Sequence, residues 1–133
     1  MPCNTAHHFA PSIRDVTTVP FLDMVEAATD QAALMVGNAR CVGILASPAV
    51  RKIGLFDRAF AGRNVTPLYA ANEDATLAAI RQIKSVGDLD QARAVLRATS
   101  QELHDRGAGV QMIACTEFSL IAMIGVILLI GIV

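Results

Sequence analysis

Short apolar runs alternate with amphipathic stretches along the middle of this chain, and few folds accommodate that order. Residues 41–46 (Cys-Val-Gly-Ile-Leu-Ala) and residues 110–114 (Val-Gln-Met-Ile-Ala) have the length and composition of buried strands. Residues 64–69 form a weaker candidate strand, which we expect near an edge because Pro67 cannot donate to a ladder. The pattern predicts an α/β fold with an open parallel sheet and helices on both faces.

Helical patterns separate these runs. They indicate helices over residues 6–15, 21–36, 53–60, 72–86 and 88–106. Asn72 and Asp88 are suitable N-caps for the last two helices. In the last helix an apolar stripe at spacings of three and four predicts the core-facing side: Leu89, Ala92, Leu96, Thr99 and Leu103.

Charge and cysteine content exclude several classes of protein. The 11 basic and 12 acidic side chains nearly cancel, and no run rich in lysine or arginine indicates a nucleic-acid partner. Three widely spaced cysteines do not form a disulfide framework, and we expect reduced thiols in a cytoplasmic protein. His7 and His8 accompany Cys3, but no second close pair of metal ligands exists, so we expect neither a metal nor another cofactor.

The C-terminal end is strongly apolar. Residues 118–133 contain only three residues that are not apolar, Ser119, Gly125 and Gly131. A membrane-spanning helix needs roughly 18 or more apolar residues, usually with flanking charge. We therefore expect a buried strand or helix here in preference to a membrane anchor.

Two cysteines stand where chemistry is expected. Cys115 follows the last predicted strand, and ligands of parallel α/β sheets bind outside the carboxyl ends of strands. Cys3 precedes the first predicted helix, where backbone N–H groups and the helix dipole favour a thiolate. Two activated sulfurs on separate loops suit a two-base proton exchange, in which a thiolate removes an α-proton and a thiol returns one to the opposite face.

Four motifs occur in order and resemble the aspartate/glutamate (Asp/Glu/hydantoin) racemase family. They cover about residues 2–121 and read Pro-Cys-Asn-Thr-Ala-His from Pro2, Val-Pro-Phe from Val19, Val-Gly-Ile-Leu-Ala from Val42 and Cys-Thr-Glu-Phe-Ser-Leu from Cys115. The resemblance implies a cofactor-independent, two-domain α/β enzyme with its active site between the domains. It also implies that Cys3 and Cys115 are the catalytic acid/base pair.

The same resemblance implies a set of substrate-binding residues. Asn4, Thr5 and Thr116 would hold the α-carboxylate and amino group, and Ser47 supplies the small hydroxyl that follows the Val42–Ala46 strand. Glu117 after the second cysteine is similar to the aspartate-type branch of the family. Lys84 resembles the lysine that meets the substrate's side-chain carboxylate. Independently, Lys84 falls on the apolar stripe of its helix, where a lysine needs a partner or a route to solvent.

Departures from the family pattern define the expected domain organisation. Family members carry a substantial segment before the first cysteine, and also an arginine that is paired with the lysine. Neither has a counterpart in this sequence. We expect residues 1–18 to be the remnant of a first domain with its connecting helix, residues 19–117 an α/β domain, and residues 118–133 an apolar tail. An incomplete first domain also favours a homo-oligomer.

The predicted function is racemisation of a small acidic amino acid. Hydantoin racemases and maleate isomerases share the paired cysteines and remain alternatives within the class. Glu117 and Lys84 favour an acidic substrate, because a hydantoin would give the lysine no carboxylate to meet. A non-catalytic truncated remnant, which self-associates or binds a partner through its apolar surfaces, is the alternative from a different class.

Overall fold

A computed structural model describes residues 3–85, 89–122 and 129–131. The described strands form one parallel sheet in the order β2-β1-β3-β4. Their bounds are β1 Cys41–Leu45, β2 Thr66–Tyr69, β3 Val110–Ile113 and β4 Leu129–Gly131. Val42 lies opposite Pro67 on one side and Val110 on the other, so β1 and β3 are central and β2 is an edge strand, as its proline predicted.

The helices follow the predicted order with small shifts. Short 3₁₀ helices cover Thr5–Phe9 and Gly37–Ala39, and the α-helices are α1 Ala10–Asp15, α2 Met24–Met35, α3 Pro48–Lys52, α4 Leu55–Phe60, α5 Glu73–Lys84, α6 Leu89–Asp105 and α7 Thr116–Ile121. The predicted helix over residues 6–15 is thus a 3₁₀ turn that continues into α1.

Alternation along the central strands separates two cores. Val42 and Ile44 of β1 face one side with helices α2, α3 and α4, in a core that includes Val25, Ala32, Val50, Phe56, Phe60 and Met112. Leu45 and Ile113 face the other side with α5, α6 and α7, in a core that includes Ala79, Ile80, Ala92, Leu96, Leu103 and Phe118. Successive strand residues point to opposite faces of a sheet, so β1 and β3 each contribute to both cores. The predicted open sheet covered on both faces is confirmed.

Close packing fixes α6 over the sheet at Gly43. A Cβ atom at this position would lie 3.1 Å from Gln111 Cγ and 3.2 Å from the Cβ of Leu103. Such distances are tighter than ordinary van der Waals contact, so the missing side chain of Gly43 allows the helix to approach β1.

Capping explains where two helices begin. Asp23 Oδ1 accepts hydrogen bonds from the backbone N–H groups of Val25 and Glu26, so α2 begins at Met24 and not at residue 21. Asn72 Oδ1 accepts from the N–H of Ala75 and caps α5 as predicted. The predicted cap Asp88 lies outside the described residues.

Two features of the helices differ from prediction. Helix α3, which is only five residues long and has Pro48 at its first position, was not predicted. In α6 the buried side includes Ser100, whereas Thr99 of the predicted stripe is half-buried. Ser100 is buried because its backbone carbonyl accepts a 2.7 Å hydrogen bond from Gln111 Nε2 on β3.

The exposed edge of the sheet carries two blocking features. Pro67 in β2 has no N–H to donate, and the carbonyl oxygen of Tyr69 accepts a 2.7 Å hydrogen bond from Arg106 at the end of α6. Part of the hydrogen-bonding capacity of this edge is therefore already used within the chain or absent.

The apolar C-terminal segment is described only in part. Phe118 and Ile121 in α7 are buried, and β4 pairs with β3; residues 123–128, 132 and 133 of the predicted tail lie outside the described residues. Within the described ranges, no helix combines the length and the apolar character needed to cross a membrane.

Candidate functional site

A cavity of about 130 Å³ lies at the carboxyl ends of β1 and β3. It brings together all eight residues that the sequence predicted for the site: Cys3, Asn4, Thr5, Ser47, Lys84, Cys115, Thr116 and Glu117. Ile80 and Ala114 complete its wall. Three larger clefts, of about 290, 660 and 510 Å³, lie elsewhere and have no cysteine among their lining residues. The smaller cavity is therefore the one that gathers the candidate chemistry.

Cys115 enters the cavity from the end of β3. Its backbone is extended at the position just before α7, and the residue is only 7% exposed. The thiol donates a 3.1 Å hydrogen bond to Glu117 Oε2. Burial first, and then this hydrogen bond, raise the pKa of the Cys115 thiol to about 12. Cys115 therefore rests as a protonated thiol at neutral pH, the state that the two-base exchange requires of one of its two sulfurs.

Glu117 connects Cys115 to Lys84. Its Oε1 lies 3.2 Å from Lys84 Nζ, while Oε2 accepts from the cysteine. Partial burial acts to raise the pKa of Glu117, but the hydrogen bond from Cys115 and the contact with Lys84 outweigh it, so the pKa lies below its usual value. The carboxylate is therefore ionised and bridges a thiol and an ammonium group.

Lys84 has both features that its place on the apolar stripe requires. It is the last residue of α5, its side chain is 64% exposed, and its ammonium group pairs with Glu117. Because the side chain reaches the cavity from a largely solvated position, it has room to change partners.

The Cys3 loop forms another part of the cavity wall. Cys3 is exposed, whereas the neighbouring Asn4 is 4% exposed and its Oδ1 has no hydrogen-bond partner among the described residues. A buried amide oxygen without a partner is costly, and a bound ammonium group would satisfy it. Thr5, which begins the 3₁₀ helix, lies beside it in the wall.

His7 holds this loop, a role that the sequence interpretation missed. The ring is buried; Nδ1 donates to the carbonyl oxygen of Cys3 at 2.9 Å, and Nε2 accepts from the N–H of Met24 at 3.4 Å. The ring also packs against Phe21. In the sequence, this role could be inferred from the four-residue spacing of Cys3 and His7, which places both residues on one helical turn.

Two hydroxyl groups complete the set of predicted site residues. Ser47 is at the N-cap position of α3, yet its side chain makes no capping hydrogen bond. Thr116 begins α7 directly after Cys115. Both residues therefore offer hydroxyls at strand ends beside the paired cysteines, where a small polar ligand would need donors.

The cavity has few charged groups. Among its described lining residues, Lys84 and Glu117 are the only charged side chains, and no described group of three or more His, Cys, Asp or Glu residues could hold a metal ion. The arrangement can supply a buried thiol, a second sulfur and several polar side chains to one cavity.

Comparison with known proteins agrees with this geometry. The family model for Asp/Glu/hydantoin racemase matches residues 1–124. Among solved structures, the chain is similar to Picrophilus torridus aspartate racemase, with a TM-score of 0.83 and 23% sequence identity over 99% of this chain. The chain spans only 55% of that chain's length, and at this identity the likeness shows the fold. Because the family match covers most of its length, the chain belongs to the Asp/Glu/hydantoin racemase family.

Proposed function

We propose that this chain carries the cysteine pair of a cofactor-independent amino-acid racemase, and that its substrate is a small acidic amino acid. The observation that carries the proposal is the common cavity of Cys3 and Cys115, which polar residues also line. A two-base exchange needs two proton-transfer groups on a substrate-sized space, and general acid–base groups of this kind typically contribute about 10²–10⁴-fold in rate.

In the proposed reaction each sulfur works on one face of the α-carbon. Cys3 removes the α-proton, so that a C–H bond breaks and an S–H bond forms. Cys115, which rests as a thiol, gives its proton to the other face and becomes a thiolate. The α-carbon is inverted, and the reverse reaction uses the same two groups in exchanged protonation states.

Glu117 makes accessible the other starting state, in which Cys115 is the thiolate and Cys3 the thiol. Its carboxylate already accepts the Cys115 S–H, so it is placed to take that proton and leave a thiolate. Asn4, Thr5, Ser47 and Thr116 are proposed to bind the α-carboxylate and amino group. Lys84 is proposed to meet the side-chain carboxylate, which favours aspartate or glutamate over a hydantoin.

Deuterium exchange tests the proposal. The purified chain is incubated with L-aspartate in heavy water, and α-deuteration and the D-enantiomer are followed by NMR and chiral chromatography. Cys3→Ser and Cys115→Ser should each lower exchange by roughly 100-fold or more, because each removes one of two obligatory proton carriers.

The third cysteine provides a matched control. Cys41 begins β1, is half-buried and is not among the residues lining the cavity, so Cys41→Ser should keep wild-type exchange. Exchange that survives in both cavity variants, or folded wild-type chain without exchange, would contradict the proposal.

A non-catalytic, self-associating chain is the second candidate, and one observation favours it. Four large apolar side chains between residues 9 and 22 are exposed: Phe9, Val16, Val19 and Leu22. This stretch overlaps the proposed first-domain remnant at residues 1–18, which precedes the proposed domain at 19–117 and tail at 118–133. Sedimentation of the same sample separates the two: a homo-oligomer with exchange supports the racemase, and an aggregate without exchange supports the remnant.

A further inference from the structure

The cavity contains a continuous polar path that the proposed proton exchange does not by itself require. Cys115 donates to one oxygen of Glu117, and the other oxygen of Glu117 contacts Lys84. Lys84 is the residue proposed to receive the substrate's side-chain carboxylate. On that proposal, Glu117 and the substrate's side-chain carboxylate compete for the same ammonium group.

We propose, building on the racemase function above, that the acidic substrate takes Lys84 away from Glu117 and thereby favours transfer of the Cys115 proton to Glu117 in the direction of the reaction in which Cys115 removes the α-proton. The S–H bond of Cys115 breaks, an O–H bond forms on Glu117 Oε2, and the negative charge moves from the carboxylate to the sulfur. Glu117 acts through Cys115 as a positioning residue, and binding of the substrate's remote end prepares the reacting sulfur.

The contacts determine the direction of this effect. The Glu117–Cys115 pair carries one negative charge in either state, and Lys84 Nζ lies 3.2 Å from the carboxylate. Lys84 therefore stabilises the state with the charge on Glu117 and the proton on sulfur. When Lys84 leaves and a substrate carboxylate arrives nearby, like-charge repulsion further favours protonation of Glu117.

Exposure makes the exchange of partners feasible. The Lys84 side chain is 64% exposed and that of Glu117 22%. Pairs this exposed are worth a factor of about five or less, so a substrate carboxylate can compete with Glu117 for the ammonium group. A buried, fully desolvated pair could not be opened so readily.

The coupling has a consequence for specificity. An amino acid without a side-chain carboxylate leaves Lys84 on Glu117 and the proton on Cys115. In the direction in which Cys115 is the base, such a substrate should lose turnover as well as affinity, because the energy of binding the remote group is used to prepare the reacting group.

Alkylation of Cys115 tests the coupling without requiring racemase activity. Tryptic cleavage places the three cysteines in separate peptides, 1–14, 41–51 and 107–133, so that iodoacetamide labelling at pH 8 can be measured for each by mass spectrometry. Lys84→Met removes the charge and keeps the length of the side chain. It should lower the labelling rate of Cys115 about threefold, within the range of an exposed ion pair, because the thiolate that reacts at pH 8 lies beside an ionised Glu117 whose charge Lys84 no longer neutralises. Arg81→Met, one turn earlier on the exposed side of α5, should not change it.

A double-mutant cycle with Glu117→Gln identifies the path. In the Glu117→Gln background, Lys84→Met should have no further effect on Cys115, because the coupling passes through the carboxylate. If Lys84→Met leaves Cys115 labelling unchanged, or changes it equally in both backgrounds, the coupling is refuted. The racemase proposal would survive that result.

Turnover provides the second readout. Lys84→Met should raise kcat for α-deuteration about threefold for the alanine enantiomer whose α-proton Cys115 removes, since Glu117 no longer has an ammonium partner, while it raises KM for aspartate. An unchanged kcat for alanine beside a raised KM for aspartate would show that Lys84 only binds substrate. Absence of exchange with both amino acids in the wild-type chain would count against the racemase function, and labelling would still decide the coupling.

Discussion

The raised pKa of Cys115 predicts that alkaline pH weakens the fold through this one thiol. A thiol's usual pKa is 9.0, and burial together with the Glu117 hydrogen bond raises the pKa of Cys115 to about 12. Because the folded value lies above the unfolded one, the native state holds this proton more tightly. The contribution to stability is complete below pH 9 and is lost as pH rises from 9 to 12.

The magnitude follows from the size of the shift. Each pKa unit corresponds to about 1.4 kcal/mol, so the full interval is worth about 4 kcal/mol and the part below pH 11 about 3 kcal/mol. This is a substantial fraction of the roughly 5–15 kcal/mol that stabilises an ordinary domain. The effect is large because Cys115 is only 7% exposed and its thiolate would face an ionised carboxylate.

Urea unfolding measured by far-ultraviolet circular dichroism at pH 8, 9, 10 and 11 tests this prediction. The free energy of unfolding of the wild-type chain should fall relative to that of Cys115→Ser by about 3 kcal/mol between pH 8 and pH 11. Tyr69, whose pKa is also raised by burial and by its hydrogen bond to Asp57, is present in both chains and cancels in the difference. Cys41→Ser should follow the wild type. If the free energies of unfolding of wild type and Cys115→Ser change in parallel with pH, the assignment of Cys115 as a buried, protonated thiol is refuted.

Two further predictions concern the packing that supports the site. Gly43→Ala should lower the free energy of unfolding by about 1–3 kcal/mol, because its Cβ would press on Gln111 and Leu103, and an unchanged urea midpoint would show that α6 can move away. Asp23→Ala should cost about 1–2 kcal/mol through loss of the α2 cap, and thermal unfolding indistinguishable from wild type would contradict a stabilising role for that cap.

Much of the fold was accessible from sequence because its strongest signals are local. The central strands are uninterrupted apolar runs, and the residues that end them, Ser47 and Cys115, are polar or reactive. Parallel strands bring their carboxyl ends to one edge, so residues far apart in the chain could be assigned to one site. Pro67 likewise identified the edge strand.

Other features depend on tertiary contacts that a sequence pattern does not contain. Ser100 is buried where α6 packs on the sheet and its backbone carbonyl accepts from Gln111 of β3, although its hydroxyl would favour an exposed position. The raised pKa of Cys115 requires both the burial supplied by neighbouring helices and the orientation of Glu117. Lys84 and Glu117 were each candidates for the site, but their ion pair depends on how α5 packs beside α7.

The blocked edge of β2 has a consequence for self-assembly. An open sheet can recruit a strand from another molecule when its outer row of donors and acceptors is vacant, and such recruitment begins many aggregates. Here Pro67 interrupts the row of donors, and Arg106 already occupies the Tyr69 carbonyl. Cross-β growth from this side would require the loss of the hydrogen bond between Arg106 and the Tyr69 carbonyl. Copies of the chain that associate in solution are therefore expected to do so through side-chain contacts and not by adding strands to this edge.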